Sequence, residues 1–279
     1  MPSTLRCGRF SLPLDRPLIM GIVNVTPDSF SDGGHFNVRA TALAHIHRLI
    51  DEGADIIDIG GESTRPGSGG VALDEERRRV LPLVEAFAGD SVPLSVDTQK
   101  PELMRDAIAA GASMINDINA LRAPGALAAV AASNAAVCFM HMQGTPATMQ
   151  DDPNYVDVVG EVLAFLNERV SAAHAAGIAS GRIVIDPGFG FGKTLEHNLE
   201  LLRNLARFNS AGVAVLAGIS RKGMLGRITG REVNERVFAS VAAAVIAADK
   251  GAQILRVHDV AATRDALAVL QAVKSDRQP

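Results

Sequence analysis

Short apolar runs alternate along this chain with longer segments of helical periodicity. Residues 18–24 are apolar almost throughout and end on a polar residue, which is typical of a strand buried on both faces. From about residue 37 to 52, apolar residues recur at spacings of three and four, and Gly53 follows where a helix C-cap is expected. This pair predicts a parallel strand followed by its crossover helix.

The same unit recurs to the end of the chain. Eight units in about 250 residues are the count and size of a (β/α)8 barrel. We therefore predict an α/β fold, a single TIM barrel domain over residues 1–279; an open doubly wound sheet is the alternative, although it rarely needs eight units. A short hairpin at about 6–14, within a segment 1–17, is expected to cap the barrel bottom. The further strands are predicted at 56–60, 94–97, 113–118, 136–141, 182–186, 213–218 and 254–257, and further helices at or near 74, 101–110, 125–132, 155–176, 195–205, 235–250 and 260–273.

Composition narrows the class of protein. The 279 residues are 47% hydrophobic and 21% charged, which is ordinary for a globular chain. A formal net charge of -4 and 4% aromatic residues disfavour a nucleic-acid partner. No apolar run is long enough to predict a membrane span, and the first residues do not resemble a signal peptide. Two cysteines, Cys7 and Cys138, exclude a disulfide scaffold, so we expect a cytoplasmic protein.

Polar side chains gather where the predicted strands end. In a (β/α)8 barrel the active site lies at the carboxyl ends of the strands and in the loops that follow them. The candidates are Asn24, Asp58 with Glu62, Asp97, Asn116 with Asp117, His141, Asp186, Ser220 with Lys222, and Arg256 with His258.

Several of these positions have a simpler structural interpretation to set against a functional one. Asp259 stands directly before the last predicted helix and is interpreted as its N-cap. Asp97 and Asp186 fit capping less well, because Pro101 and a glycine run place the following helices later, and function is favoured for both. Four histidines lie in or beside predicted helices and are interpreted as surface or packing residues: His45, His47, His174 and His197.

Three loops stand out. Residues 26–34 and 61–70 are long and rich in turn formers, as lids often are, and they would bring Phe30 and Arg65 to a ligand. Residues 186–194 contain Gly-Lys-Thr, but Pro187 stands where a P-loop needs glycine, so an NTPase is rejected. Lys193 is accordingly interpreted as a solvated loop lysine.

The candidates form two chemical groups. Asp97, Asn116, Asp186 and Lys222 offer carboxylate, amide and ammonium groups, which suit the edge of a polar heterocycle. The other candidates carry cationic or neutral groups that suit a phosphate, and one of them, Asn24, could offer an oxygen to a hard cation such as Mg²⁺. Lys222 itself stays open between a Schiff base and an ammonium that donates hydrogen bonds. The phosphate-directed candidates are Asn24, Thr64, Arg65, Arg256 and His258.

Two long motifs carry a family resemblance. Residues 20–34 (MGIVNVTPDSFSDGG) and 53–66 (GADIIDIGGESTRP) are similar to the two signatures of the dihydropteroate synthases, a pterin-binding TIM barrel family. Short blocks at 95–98, 115–118, 186–192, 220–222 and 256–258 are similar to its remaining motifs, in the same order.

The resemblance implies a transferase of folate biosynthesis. It would condense 6-hydroxymethyl-7,8-dihydropterin pyrophosphate with p-aminobenzoate to give 7,8-dihydropteroate and pyrophosphate, by a dissociative substitution with ordered binding. Mg²⁺ is the implied cofactor, a homodimer is expected, and sulfonamides would imitate the aminobenzoate. The resemblance implies that the catalytic residues are Asp97, Lys222 and Arg256 and that the metal ligand is Asn24. The residues that would bind pterin are Asp97, Asn116, Ile118, Met140, Asp186, Phe191, Gly218, Lys222 and Arg256. Those that would bind pyrophosphate are Asn24, Thr64, Arg65, Arg256 and His258, and those that would bind p-aminobenzoate are Phe30, Thr64, Pro66, Ser220 and Lys222.

Two other functions remain open from the residues. One is a Schiff-base aldolase or isomerase using Lys222, although the loops with Phe30 and Arg65 have no role in it. The other is a pterin-binding barrel that is non-catalytic or transfers methyl groups; it would bind pterin and release no pyrophosphate.

Overall fold

The structure, a computed structural model, describes residues 2–25, 35–63 and 69–275. Within these ranges, the strands are β1 (Thr4–Cys7), β2 (Phe10–Pro13), β3 (Leu18–Asn24), β4 (Ile56–Gly60), β5 (Leu94–Asp97), β6 (Met114–Asp117), β7 (Ala136–Met140), β8 (Ile183–Asp186), β9 (Ala214–Ala217) and β10 (Ile254–Val257). Eight of them are parallel and close into a barrel in the order β10-β3-β4-β5-β6-β7-β8-β9. The predicted TIM barrel is therefore confirmed, and the alternative of an open sheet is wrong.

Helices surround this barrel and connect its parallel strands. The helices are α1 (His35–Asp51), α2 (Leu73–Phe87), α3 (Pro101–Ala109), α4 (Ala126–Ala131), α5 (Val158–Ala175), α6 (Leu195–Arg203), α7 (Gly223–Thr229), α8 (Val237–Asp249) and α9 (Val260–Lys274). Their bounds agree with the predicted positions within a few residues, except that the sequence did not predict α7. This helix is short and contains Gly223 and Gly226, which interrupt an apolar pattern.

The N-terminal hairpin closes one end of the barrel, as predicted. Strands β1 and β2 pair antiparallel, with Cys7 opposite Phe10. The buried side chains of Leu5 and Cys7 pack against residues at or near the amino ends of the barrel strands, such as Leu18 and Ile56. Because this end is filled with apolar side chains, a ligand has room only at the opposite, carboxyl end.

The strands are apolar because both of their faces are covered. One face points into the barrel and the other packs under the helices, so β4, β7, β8 and β9 are buried at every position. Their polar side chains are concentrated toward the carboxyl ends. No helix among the described residues is long and apolar enough to cross a membrane.

Candidate active site

Arg256 lies at the centre of the carboxyl end of the barrel and joins two carboxylates. Its Nε donates to Asp58 Oδ2 at 2.6 Å and a terminal nitrogen donates to Asp97 Oδ2 at 2.9 Å. The Asn116 amide donates to the same Asp58 oxygen at 3.2 Å. Strands β4, β5, β6 and β10 each contribute one of these side chains. Strands β4, β5 and β6 are neighbours, and closure of the barrel places β10 on the other side of β3 from β4.

Burial and charge shape the ionisation of this cluster. Burial raises the pKa of Asp97 to about 7, although the positive charge of Arg256 opposes the increase. Burial lowers the pKa of Arg256, but the charges of Asp58 and Asp97 outweigh it and raise that pKa overall. Asp58 is 0% exposed, and its Oδ1 atom has no hydrogen-bond partner. Arg256 is therefore a permanent cation between Asp58 and Asp97, and the buried Asp58 carboxylate depends on its positive charge.

Asp186 and Lys222 form a second part of the site, on β8 and before α7. The Asp186 carboxylate accepts from the Gly188 amide at 2.8 Å, and the Lys222 ammonium donates to the Phe189 carbonyl. The Lys222 Nζ also lies 4.6 Å from the centre of the Phe191 ring, a cation–π distance. Burial lowers the pKa of Lys222 to about 8, while the charge of Asp186 acts against the decrease.

A small apolar wall stands beside these polar groups. Ile118, Met140 and the half-buried Phe191, all three predicted to contact pterin, form one cluster. Met142 and Met149 complete that cluster and were not among the predicted residues. They follow β7 in a loop without periodicity, so the sequence carried no signal for them.

Ser220 and His258 meet at the side of the site. The Ser220 hydroxyl and His258 Nδ1 are 3.0 Å apart, and the His258 amide donates to that hydroxyl at 3.2 Å. The carboxyl end of β3 carries Asn24, whose Oδ1 lies 3.7 Å from the position that a Cβ on Gly60 would occupy. Asp97 Oδ2 lies 4.0 Å from the same point, so both oxygens face one small region.

Gly218, a predicted pterin contact, follows β9 and lies beside two polar groups of the site. A Cβ at this position would lie 3.8 Å from both Arg256 Cβ and Asp186 Oδ2. The residue therefore lies next to both Arg256 and Asp186.

Two predicted strand-end candidates, Asp117 and Glu62, have structural partners. Asp117 accepts from the Asn119 and Leu121 amides, both at 2.7 Å, and so orders the turn after β6. Lys100 bridges Glu62 to the fully buried Glu76 on α2, which anchors the start of the second long loop.

Asp259 departs from its predicted role. It occupies the N-cap position of α9, but its side chain makes no capping hydrogen bond. Instead its carboxylate forms a bidentate pair with Arg221, at 2.5 and 3.1 Å, across the loop after β9. A charged partner in reach competes with the helix amides for the same oxygens, and sequence spacing did not reveal that partner.

Lys193 was interpreted as a solvated loop lysine, and the structure shows that this prediction is wrong. Its side chain is buried, at 3% exposure, rather than solvated. Its Nζ lies 3.0 Å from His141 Nδ1 and donates to the Phe191 carbonyl at 2.9 Å. The barrel packs the loop after β8 against the end of β7, and only this tertiary contact buries the lysine.

The four helix histidines make local contacts, as predicted. His47 packs on Phe87 with ring centres 4.9 Å apart, and His174 bonds Ser180 at 3.0 Å. His45 bonds Arg48, and His197 completes the capping box of α6. The remaining predicted ligand contacts, Phe30, Thr64, Arg65 and Pro66, lie outside the described residues.

The fold and this site are those of a pterin binding enzyme. The family model with the description pterin binding enzyme matches residues 20–258 of this chain. More particularly, the chain belongs to the dihydropteroate synthase family. It is 50% identical to the dihydropteroate synthase of Escherichia coli strain K12 over 269 residues, covering 96% of this chain and 95% of the relative.

Two solved structures extend this similarity to three dimensions. The Xanthomonas albilineans dihydropteroate synthase with 4-aminobenzoic acid superposes with a TM-score of 0.93 and 56% identity, over 99% of this chain and 100% of that one. The Burkholderia cenocepacia dihydropteroate synthase complexed with 7,8-dihydropteroate has a TM-score of 0.88 and 52% identity, over 98% and 97% of the two chains. The similarity spans the whole barrel, so the Schiff-base aldolase and the methyltransferase-like barrel are set aside.

Proposed function

We propose that this protein condenses 6-hydroxymethyl-7,8-dihydropterin pyrophosphate with p-aminobenzoate, which gives 7,8-dihydropteroate and pyrophosphate. The observation that carries the proposal is the convergence of Asp97, Asn116, Asp186 and Lys222 around Arg256 at the carboxyl end of the barrel. Relatives of the same family bind 4-aminobenzoic acid and 7,8-dihydropteroate in their solved structures, which supports the choice of substrates.

The pterin ring would lie across this polar cluster. A carboxylate accepts two parallel N–H bonds from an aminopyrimidinone edge, which suits Asp186 or Asp97, while the Asn116 amide and the Lys222 ammonium complement the remaining donors and acceptors. The Arg256 guanidinium offers a flat face for stacking. The apolar wall that includes Ile118, Met140 and Phe191 would exclude water from one side of the ring.

Asp97 would act during bond cleavage. As pyrophosphate leaves, the pterin methylene gains positive charge, and a carboxylate near the ring stabilises that charge electrostatically. The aniline nitrogen of p-aminobenzoate is already a usable nucleophile, so the substitution needs no strong general base. Ser220 and Lys222 would border the aminobenzoate, together with Phe30, Thr64 and Pro66 on the long loops. Sulfonamides would compete for this part of the site.

The leaving group would lie on the side of Asn24 and His258. Arg256 and Arg65 would add positive charge there, and Thr64 a hydroxyl. The Asn24 amide oxygen near Gly60 is a suitable ligand for a hard cation, whereas Asp97 Oδ2 in the same region accepts from Arg256. The described residues contain no cluster of three or more acidic, histidine or cysteine ligands. This sparse set suits Mg²⁺, which keeps several waters and uses substrate phosphates as ligands. We propose that Asn24 holds the ion, which when bound would stabilise the departing pyrophosphate.

The direct test is pyrophosphate release from the pterin substrate, measured with Mg²⁺ present and with or without p-aminobenzoate. We expect release that depends on p-aminobenzoate and yields one dihydropteroate for each pyrophosphate. Pyrophosphate release that does not depend on p-aminobenzoate, or the absence of any release, would reject the proposed function.

The ionisation of Lys222 predicts the alkaline side of the pH profile. The ammonium donates hydrogen bonds only below its pKa, which burial lowers to about 8. We therefore expect kcat/KM for the pterin substrate to fall as the pH increases through about 8. Lys222→Arg keeps a cation at every pH used, so any activity it retains should show no such fall; an unchanged alkaline limb in this variant would contradict the assignment.

We further propose a homodimer in the cytoplasm. Large apolar side chains are exposed on neighbouring helices α8 and α9, with Phe238 at 85%, Val269 at 66% and Val273 at 80%, and a second copy would cover such a face. Phe238→Asp should then give a monomer in size-exclusion chromatography with light scattering, whereas Glu168→Ala, on α5, should stay dimeric. A wild-type monomer at micromolar concentration would reject the dimer.

The proposed cytoplasmic location is supported by the two cysteines. Cys7 and Cys138 are free thiols, as expected in a reducing compartment.

A further inference from the structure

The buried Lys193 side chain is fully used by hydrogen bonds. An ammonium has three N–H donors. Lys193 Nζ has three acceptors in reach, which are the Phe191 carbonyl at 2.9 Å, His141 Nδ1 at 3.0 Å and the His141 carbonyl at 3.4 Å. Burying a lysine side chain without hydrogen-bond partners would cost free energy, and these three acceptors offset that cost.

His141 has the protonation state that this arrangement requires. Burial, together with the positive charge of Lys193, lowers the pKa of His141 to about 3, so the imidazole is neutral. Burial lowers the pKa of Lys193 to about 7. Below that pH Lys193 is an ammonium, which can only donate, so Nδ1 accepts from it and the ring proton is on Nε2. The His141 ring is also held edge-on against Phe165, with centres 5.0 Å apart. The acceptor is therefore fixed in place by packing.

These bonds join the end of β7 to the loop after β8. The backbone approach is very close: Gly188 has a φ of +73°, and a Cβ there would lie 1.9 Å from the His141 carbonyl oxygen. Only glycine allows this contact, and Lys193 ties the far end of the same loop to the same residue. The loop is thereby clamped to β7 at both of its ends.

The clamped loop carries the groups that orient Lys222. The Phe189 carbonyl accepts from the Lys222 ammonium, and the Phe191 ring lies 4.6 Å from it. The carbonyl of that same Phe191 is the one that Lys193 holds. A shift of Phe191 would therefore move both the apolar wall and the cation that faces the pterin.

We propose that Lys193 is a positioning residue, which holds the loop after β8 so that its ring and carbonyl groups orient Lys222 toward the pterin. It touches no substrate and acts through Phe191. The inference rests on the proposed function, because it concerns how the same site binds its heterocycle.

The test measures pterin binding and turnover separately. Lys193→Met keeps the length and apolar stem of the side chain and removes its donors. We expect the Kd for pterin-6-carboxylate, followed by fluorescence, to increase about tenfold, as for other residues that orient a ligand-binding group. The KM for the pterin substrate should increase similarly, while kcat changes less. Lys274→Met, at the exposed end of α9, should leave all three values unchanged.

A second variant keeps the test decisive if Lys193→Met folds poorly. His141→Phe preserves an aromatic ring against Phe165 but removes the Nδ1 acceptor, and we expect a weaker increase of about threefold in the same Kd. Because both changes remove the same bond between Lys193 and His141 Nδ1, the effect of the double variant should be smaller than the product of the two single effects. An unchanged Kd in either folded single variant would overturn the proposal. Wild-type protein that binds pterin-6-carboxylate but releases no pyrophosphate would instead reject the proposed function.

Discussion

Asp97→Asn is expected to lower kcat about 10²- to 10³-fold, the usual cost of removing one preorganised electrostatic group from a transition state. Asparagine has almost the same shape, so the pterin pocket should keep its form. What the variant loses is the negative charge beside the methylene that becomes cationic as pyrophosphate departs. The measurement is steady-state pyrophosphate release at saturating concentrations of both substrates.

The control for this variant is a carboxylate outside the site. Asp106 on α3 pairs with Arg77 at 2.7 Å on the outside of the barrel, and Asp106→Asn should retain full turnover. If Asp97→Asn also kept full turnover, the carboxylate would not stabilise the developing cation. A change confined to KM would give Asp97 a binding role alone.

Arg256→Met is expected to abolish turnover and to reduce the free energy of unfolding by about 3–5 kcal/mol, as for one broken partner of a buried ion pair. The reason lies in Asp58, which is 0% exposed and whose hydrogen-bonded oxygen accepts from Arg256 at 2.6 Å. Without the guanidinium, the Asn116 amide is its only remaining side-chain partner among the described residues. Urea unfolding, monitored by circular dichroism, measures the change in stability.

A double variant separates the two losses. Asp58→Asn in the Arg256→Met background removes the stranded charge, so most of the lost stability should return while turnover stays absent. Arg77→Met, which breaks the surface pairs with Asp106 and Asp74, should cost about 1 kcal/mol or less. An Arg256→Met protein as stable as wild type would show that Asp58 does not depend on the guanidinium.

The site was predictable to the extent that its residues lie at strand ends. Asp97, Asn116 and Asp186 each end, or nearly end, an apolar run, and a parallel barrel places all such positions at one end. Sequence position alone did not distinguish them from Asp117, which stands beside Asn116 and orders a turn instead. The difference depends on which way each side chain points, because neighbouring residues of a strand face opposite sides.

Lys193 and Asp259 show why partners cannot be inferred from spacing. Lys193 looks like a solvated lysine in a glycine-rich loop, and its acceptor His141 is 52 positions away. Asp259 stands where a helix cap belongs, yet Arg221, 38 positions earlier, holds its carboxylate. Burial and ion pairing over such separations arise only when the barrel closes.

The sequence by itself determined the eight strand–helix units, the capping hairpin and the residue types at the strand ends. These follow from local rules, since apolar runs, helical periodicity and glycine positions act over a few residues. Only the tertiary structure decided that Arg256 bridges Asp58 and Asp97, and that Lys193 is buried against His141. Closing the barrel brings β10 beside β3 and across from β5, which removes water from charges and leaves each one dependent on a particular partner.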